Sequence, residues 1–303
     1  RELQVNSQLL QEKLNGEDCV YLNYYFYAEM SVAKRLLELS ADYDAPNMES
    51  IATEIARVEK ETGVVLAEEQ RAAVAEALSC GVLIITGGPG TGKTTTINTI
   101  LRILKKEDMD VVLAAPTGRA AKRMTEATGM EAQTIHRLLG ISFIGEDSRR
   151  QTFDKNEENP IEADVIIIDE SSMVDIVLMQ ALLRAVESGS RIIFVGDVDQ
   201  LPSVGAGNVL KDMIRSERLK VVRLQHVFRQ AQESAIIMNA HRINQGEEPV
   251  LNEEGTDFFF MRRAYADEVA GTIRELVTKR LPKFTGCDGL QDMQILTPMR
   301  KGT

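Results

Sequence analysis

No stretch of the 303 residues approaches the roughly 20 consecutive apolar residues that a bilayer-spanning helix needs. A transmembrane helix is therefore excluded as an organising element, and the first residues lack the basic, apolar, small-residue order of a secretory signal. Cysteine is scarce. Cys19, Cys80 and Cys287 lie far apart and without metal-site spacing, which fits buried thiols in a reducing, cytoplasmic setting. Positive charge is also short, with 35 Lys and Arg against 46 Asp and Glu for a formal charge of −11. That balance excludes a protein that coats nucleic acid through a basic surface. Local contacts through loop N–H groups, hydroxyls and a few arginines stay open.

The chain is long enough for one large core and one or two smaller units. Residues 1–64 read as a helical region. Leu3, Leu9, Leu10 and Leu14 fall at mixed helical spacings, Val32, Ala33, Leu36 and Leu37 share a stripe, and Met48, Ile51, Ile55 and Val58 repeat it. Tyr21, Tyr24, Tyr25 and Tyr27 read as packing between helices rather than as stacking platforms for bases. From residue 80 the rhythm becomes strand then helix. Apolar runs at 82–85, 111–115, 164–168, 191–195 and 221–224 alternate with amphipathic stretches at 93–107, 118–128, 173–187 and 205–215. This predicts an α/β fold with a five-stranded, mostly parallel sheet covered on both faces. The polar stretch 145–160 is expected to leave the core as a loop or short hairpin, within an excursion spanning 141–160. A further helix is expected over 265–280, and Gln294–Thr297 reads as a strand.

The sharpest motif is Gly87, four residues, then Gly92-Lys93-Thr94, opening a helix directly after the apolar run Val82–Ile85. Gly88, Gly90 and Gly92 can adopt backbone angles closed to other residues, so the N–H groups of Gly88, Gly90, Thr91 and Gly92, on the loop that Pro89 helps to shape, can surround a phosphate at a helix N-terminus. Lys93 would reach the β- and γ-phosphates, the Thr94 hydroxyl would ligate Mg²⁺, and Thr95 continues the segment. A second motif, Val165 to Ile168 followed by Asp169-Glu170, places two carboxylates at the C-terminal end of a buried strand. Asp169 suits the metal and Glu170 suits activation of the attacking water.

Gln200, in the segment 196–202, carries an amide able to sense a γ-phosphate, and Arg229 offers a fork of donors to the same group. Gln70 could supply a donor and an acceptor to the adenine edge. Pro116, Thr117, Gly118 and Arg119 lie at a strand-to-helix junction suited to backbone phosphates of a nucleic acid. A helix cap at Thr117 and a solvent-facing Arg119 are the structural alternative.

Taken together, these segments resemble the superfamily 1B DNA helicases of the RecD-like group. The resemblance rests on GGPGTGKTT at 87–95, APTGRAAKR at 115–123, TIHRLLG at 134–140, IIIDESSMVD at 166–175, VGDVDQLPSVGAGNVL at 195–210 and LQHVFRQ at 224–230. It implies a RecA-like motor domain over 65–291 and ATP with Mg²⁺ as cofactors. It adds Thr134 and His136 as DNA contacts and implies 5′-to-3′ movement on single-stranded DNA and at single/double-strand junctions. DNA-repair proteins are implied as partners, and membranes are not. ILTPMRKGT at 295–303 looks like the start of a second motor domain, taken to begin at 292, so the chain is expected to be a fragment with weak activity alone. A nucleotide-regulated, non-motor DNA-repair subunit is the alternative function. A kinase or GTPase is disfavoured, since no guanine-specifying Asn-Lys-x-Asp loop is visible.

Overall fold

The computed structural model describes residues 8–14, 16–41, 48–143, 151–228, 232–253 and 255–297. They form two compact units, one of residues 1–233 with 237–248 and one of residues 234–236 with 249–303. The second unit is made chiefly of residues from 249 onward.

The first unit opens on an antiparallel hairpin, β1 (Leu9–Leu14) and β2 (Glu17–Leu22), where leucine spacing predicts helix. The overlooked signal is Asn15-Gly16, a turn dipeptide between two runs of strand length, and Gly16 sits at φ +90°. Helices α1 (Asn23–Ala41), α2 (Met48–Thr62) and α3 (Glu68–Ser79) follow.

The strand–helix rhythm is then realised as β3 (Val82–Gly87), α4 (Lys93–Lys106), β4 (Val111–Ala115), α5 (Gly118–Thr128), the short β5 (Ala132–Thr134) and a single turn α6 (Ile135–Leu138). Local chemistry sets these boundaries. The Thr117 side chain accepts from Ala120 N–H to begin α5, and Gly129 at φ +71° ends it in the left-handed conformation that glycine tolerates. Strands β6 (Ile141–Phe143) and β7 (Gln151–Phe153) pair antiparallel, so the excursion is a hairpin. The core resumes with β8 (Val165–Ile168), α7 (Ile176–Arg184), β9 (Arg191–Gly196), α8 (Val209–Arg215) and β10 (Lys220–Leu224), after which comes α9 (Ala235–Asn244).

The strand order is β10-β3-β9-β8-β4-β5 and every pairing is parallel. Five of these strands are the expected ones, and β5 adds a sixth at the edge. Both faces are covered, which is why the central strands read as unbroken apolar runs. Ile84, Ile166, Ile168, Ile192 and Phe194 face α1, α7 and α8, while Leu83, Ile85, Ile167, Ile193 and Val195 face α2, α3, α4 and Met124 of α5. Helices α1 and α2 therefore belong to the two cores of the sheet, and residue 64 marks no break in packing.

In the second unit, α10 (Ala266–Glu275) runs through a π-helical segment, Leu276–Arg280, into α11 (Leu281–Thr285). The helix expected over 265–280 is present. Residues 293–297 pair with no strand among the described residues, so the strand expected at Gln294–Thr297 is not formed.

Leu36 on α1 is 4% exposed and packs in the same cluster as the sheet. Leu36→Ala should cost about 2–5 kcal/mol and lower the midpoint of one cooperative transition. A separate early transition in calorimetry would show instead that α1 folds as its own domain.

Candidate nucleotide site

Strand β3 lies between β9 and β10, and the chain moves from it outward to β4 before returning through β8 and β9 and crossing to β10. Ligand clefts of open α/β sheets form at the C-terminal ends of strands where the order switches in this way. The loop 88–92 occupies that position, between β3 and the first turn of α4. Gly90 and Gly92 have φ of +75° and +79°. At Gly92 the left-handed angle coincides with close approach, since a Cβ there would run into the Gln70 amide.

The loop is tied internally. Thr91 Oγ1 donates to the Gly88 carbonyl at 2.8 Å, and Lys93 Nζ donates to the carbonyls of Gly87 at 2.6 Å and Gly88 at 3.0 Å. Burial pushes Lys93 below the usual lysine range, opposed by the charges of Asp197, Glu170 and Asp169.

The carboxylates come from the ends of the two strands beyond β3. Asp169 follows β8. Its N–H donates to the Ala114 carbonyl at 2.9 Å, and its Oδ1 accepts from Glu170 N–H at 2.9 Å. Glu170 sits at φ +52°, a left-handed angle that costs a non-glycine residue about 1–2 kcal/mol. Ser171 Oγ holds the turn by donating to the Val195 carbonyl at 2.8 Å. Burial raises the Asp169 pKa above the usual carboxylate range. Glu170 is raised chiefly by burial and further by Asp169, with Lys93 and Arg123 opposing. After β9, Asp197 is buried, accepts from Asp199 N–H through Oδ1 and receives Gln200 N–H on its carbonyl.

These groups line one cleft of about 850 Å³. Its walls include Gly88 to Thr95, Gln70, Asp169, Glu170 and Gln200, so the predicted nucleotide residues within the described chain come together. Arg229 lies outside the described residues. Phe228 before it lines the cleft and donates its N–H to the Gly90 carbonyl at 3.3 Å. Gln70 is 1% exposed, with Oε1 accepting from Ala67 N–H at 3.0 Å and Nε2 donating to the Gly92 carbonyl at 3.1 Å. Each end of the amide makes one backbone bond, so the residue ties α3 to the loop as well as lining the cleft.

Residues that carried no sequence assignment also line the cleft: Val64, Val65, Arg123 and Phe228. Arg123 lay inside the APTGRAAKR segment and Phe228 beside Arg229, yet neither has a spacing that announces a role. No cluster of three or more His, Cys, Asp or Glu side chains suited to a metal occurs among the described residues. A divalent ion here would thus draw on few protein ligands plus phosphate oxygens, the donor set that magnesium accepts.

Pro116 to Arg119 follow β4, and Thr134 ends β5 with His136 two residues beyond it. The two strands pair with Ala115 opposite Thr134, so both predicted DNA segments share the far end of the same sheet edge. Each threonine is also a helix cap: Thr117 Oγ1 accepts from Ala120 N–H and Thr134 Oγ1 from Arg137 N–H, both at 3.2 Å. Each hydroxyl keeps its proton to donate. The His136 ring centroid lies 6.1 Å from that of Phe153 on the hairpin.

A protein-family model described as "AAA domain" matches residues 65–258. The chain is 35% identical over 288 residues to the ATP-dependent RecD2 DNA helicase of Deinococcus radiodurans, covering 95% of this chain and 37% of that protein. It is 43% identical over 170 residues to the RecBCD enzyme subunit RecD of Mycolicibacterium smegmatis, covering 48% of this chain and 30% of that one. It therefore spans about a third of the curated relatives it matches. Among solved structures, it aligns to the Pif1 helicase from Candida albicans with a TM-score of 0.46 and 23% identity, over 71% of this chain and 55% of that chain. Since the family model covers well over half of the sequence, the chain belongs to the AAA domain family, with homology to RecD proteins.

Proposed function

We propose that this chain carries the ATP-hydrolysing part of a DNA helicase that moves 5′ to 3′ on single-stranded DNA. One observation carries the chemical half of the reading: Lys93, half-buried beside the loop, shares its cleft with Asp169 and Glu170 and feels the charge of Asp197. A cation that can meet phosphate, an acid suited to a metal and a second acid suited to a base are the parts that phosphoryl transfer to water requires. The DNA half draws on the similarity to the RecD2 helicase and on the two helix starts at Thr117 and Thr134.

In this reading, Lys93 leaves the carbonyls of Gly87 and Gly88 for phosphate oxygens, which restores the counter-charge it lost on burial. Thr94 and Asp169 would hold Mg²⁺, which when bound neutralises charge on the β- and γ-oxygens. Glu170 takes the proton from the attacking water. Its raised pKa brings it closer to the operating pH than an ordinary carboxylate, the direction that favours a general base. Gln200, exposed on the rim, contacts the γ-phosphate together with Arg229, and loss of that contact after hydrolysis reports the product state. Closure of a motor around its nucleotide brings a second surface across the cleft, so hydrolysis and DNA stimulation are best measured in a longer polypeptide.

Hydrolysis and binding should separate by variant. Lys93→Ala should lower ATPase activity about 100-fold or more in a longer polypeptide containing both motor domains, whereas Glu170→Gln should bind ATP and fail to turn it over. Single-turnover assays with titrated nucleotide decide this, and normal hydrolysis by Glu170→Gln would place the base elsewhere.

The raised carboxylate at Asp169 also has a stability consequence. Its folded pKa lies above its unfolded value, so the group favours folding below the unfolded pKa, and this contribution disappears as pH rises through the folded pKa. Without nucleotide, Asp169→Asn should therefore raise Tm at pH 7–8, with the gain shrinking toward pH 4. Thermal melts across that range test the sign.

Because Thr117 caps α5, its removal would mix helix loss with DNA loss, so Arg119 is the cleaner probe. Arg119→Ala in the longer polypeptide should weaken single-stranded DNA binding by a similar factor on varied sequences and reduce the salt slope by roughly one unit or less, leaving DNA-free ATPase unchanged. Fluorescence anisotropy over a salt series would place the DNA track elsewhere if affinity and slope stay the same.

A further inference from the structure

A histidine on α9 touches the phosphate loop from outside the strand and helix that carry it. His241 brings Nε2 within 3.1 Å of the Pro89 carbonyl. A carbonyl only accepts, so the ring donates and Nε2 carries the proton. The imidazole also covers Gly88. A Cβ built there would stand 2.8 Å from Cε1 and 3.5 Å from Nδ1, closer at Cε1 than any side chain tolerates. Asn239 on the same helix is 2% exposed, so α9 is anchored in the first unit at this level.

The consequence follows from peptide geometry. In a trans peptide the carbonyl and the next N–H point in opposite directions. A Pro89 carbonyl drawn toward His241 therefore turns Gly90 N–H away from α9. The next carbonyl, of Gly90, accepts from Phe228 N–H at 3.3 Å, which fixes the following peptide and with it Thr91 N–H. Two consecutive peptides are thus anchored by their carbonyls, leaving consecutive N–H groups free to form the concave donor set that binds anions.

We propose that His241 is a positioning residue for nucleotide binding: by holding the Pro89 carbonyl it pre-orients Gly90 N–H for a phosphate oxygen without itself touching the nucleotide. This rests on the nucleotide reading given above. The substitution His241→Phe keeps a ring over Gly88 and removes the donor, while His241→Gln replaces the ring with an amide that can donate. The measurements are the Kd of a fluorescent ADP analogue and the nucleotide-free Tm, both on the 303-residue chain. For His241→Phe, affinity should weaken about three- to tenfold, the effect of one lost hydrogen bond, with Tm unchanged. His241→Gln should recover most of the affinity. Parental affinity in His241→Phe overturns the proposal, as does an affinity loss that tracks a falling Tm in both variants. Lys93→Ala is the control that separates the two readings. If the parent binds the analogue and Lys93→Ala does not, a null result at His241 concerns His241 alone; if the parent does not bind, the nucleotide reading fails and the proposal falls with it.

Discussion

Everything at this site is arranged around an ammonium group drawn partly out of water. Lys93 is half-buried and has both acceptors and counter-charge: two loop carbonyls at hydrogen-bonding distance and three carboxylates in electrostatic range. The carboxylates do not come from the loop's own neighbourhood in sequence. They stand at the ends of β8 and β9, so the parallel order β3-β9-β8 is what brings negative charge to the lysine. The same order explains why burial dominates the titration of all three kinds of group here, lowering the base and raising the acids. The site is under electrostatic tension, which a polyanion with its metal would relieve.

The parts legible in sequence are those with a local cause. The sheet strands announce themselves because strands buried on both faces must be apolar throughout, and the loop announces itself because glycine at 90 and 92 is required by positive φ. Asp169 and Glu170 were readable from their place after four apolar residues. The hairpin at 9–22 was obscured because its leucines also fit a helical spacing, although Asn15-Gly16 carried the opposing signal. Strand β5, three residues long with no apolar run, had nothing to announce it.

The remaining parts depend on long-range packing. The burial of Gln70 against Gly92 and of α1 and α2 on opposite faces of the sheet follows from contacts between segments with no common motif. A glutamine before a phosphate loop reads equally as a ligand for a base or as a brace for the backbone. The positions of Ala67 N–H and the Gly92 carbonyl make it a brace for the backbone beside the cleft that it lines. Arg123 and Phe228 reach the cleft because α5 and the segment after β10 border it.

The placement of β3 also sets a schedule for synthesis. Its two partners, β9 and β10, begin at residues 191 and 220, more than 100 residues after β3 itself. At ribosomal rates of roughly 5–20 residues per second, the phosphate loop emerges on the order of ten seconds before the strand that closes its far side. During that interval Val82 to Ile85 are an apolar segment with both edges unpaired, the condition under which nascent chains aggregate. Completion of the nucleotide cleft and protection of β3 are therefore one event, fixed by the arrival of Lys220–Leu224.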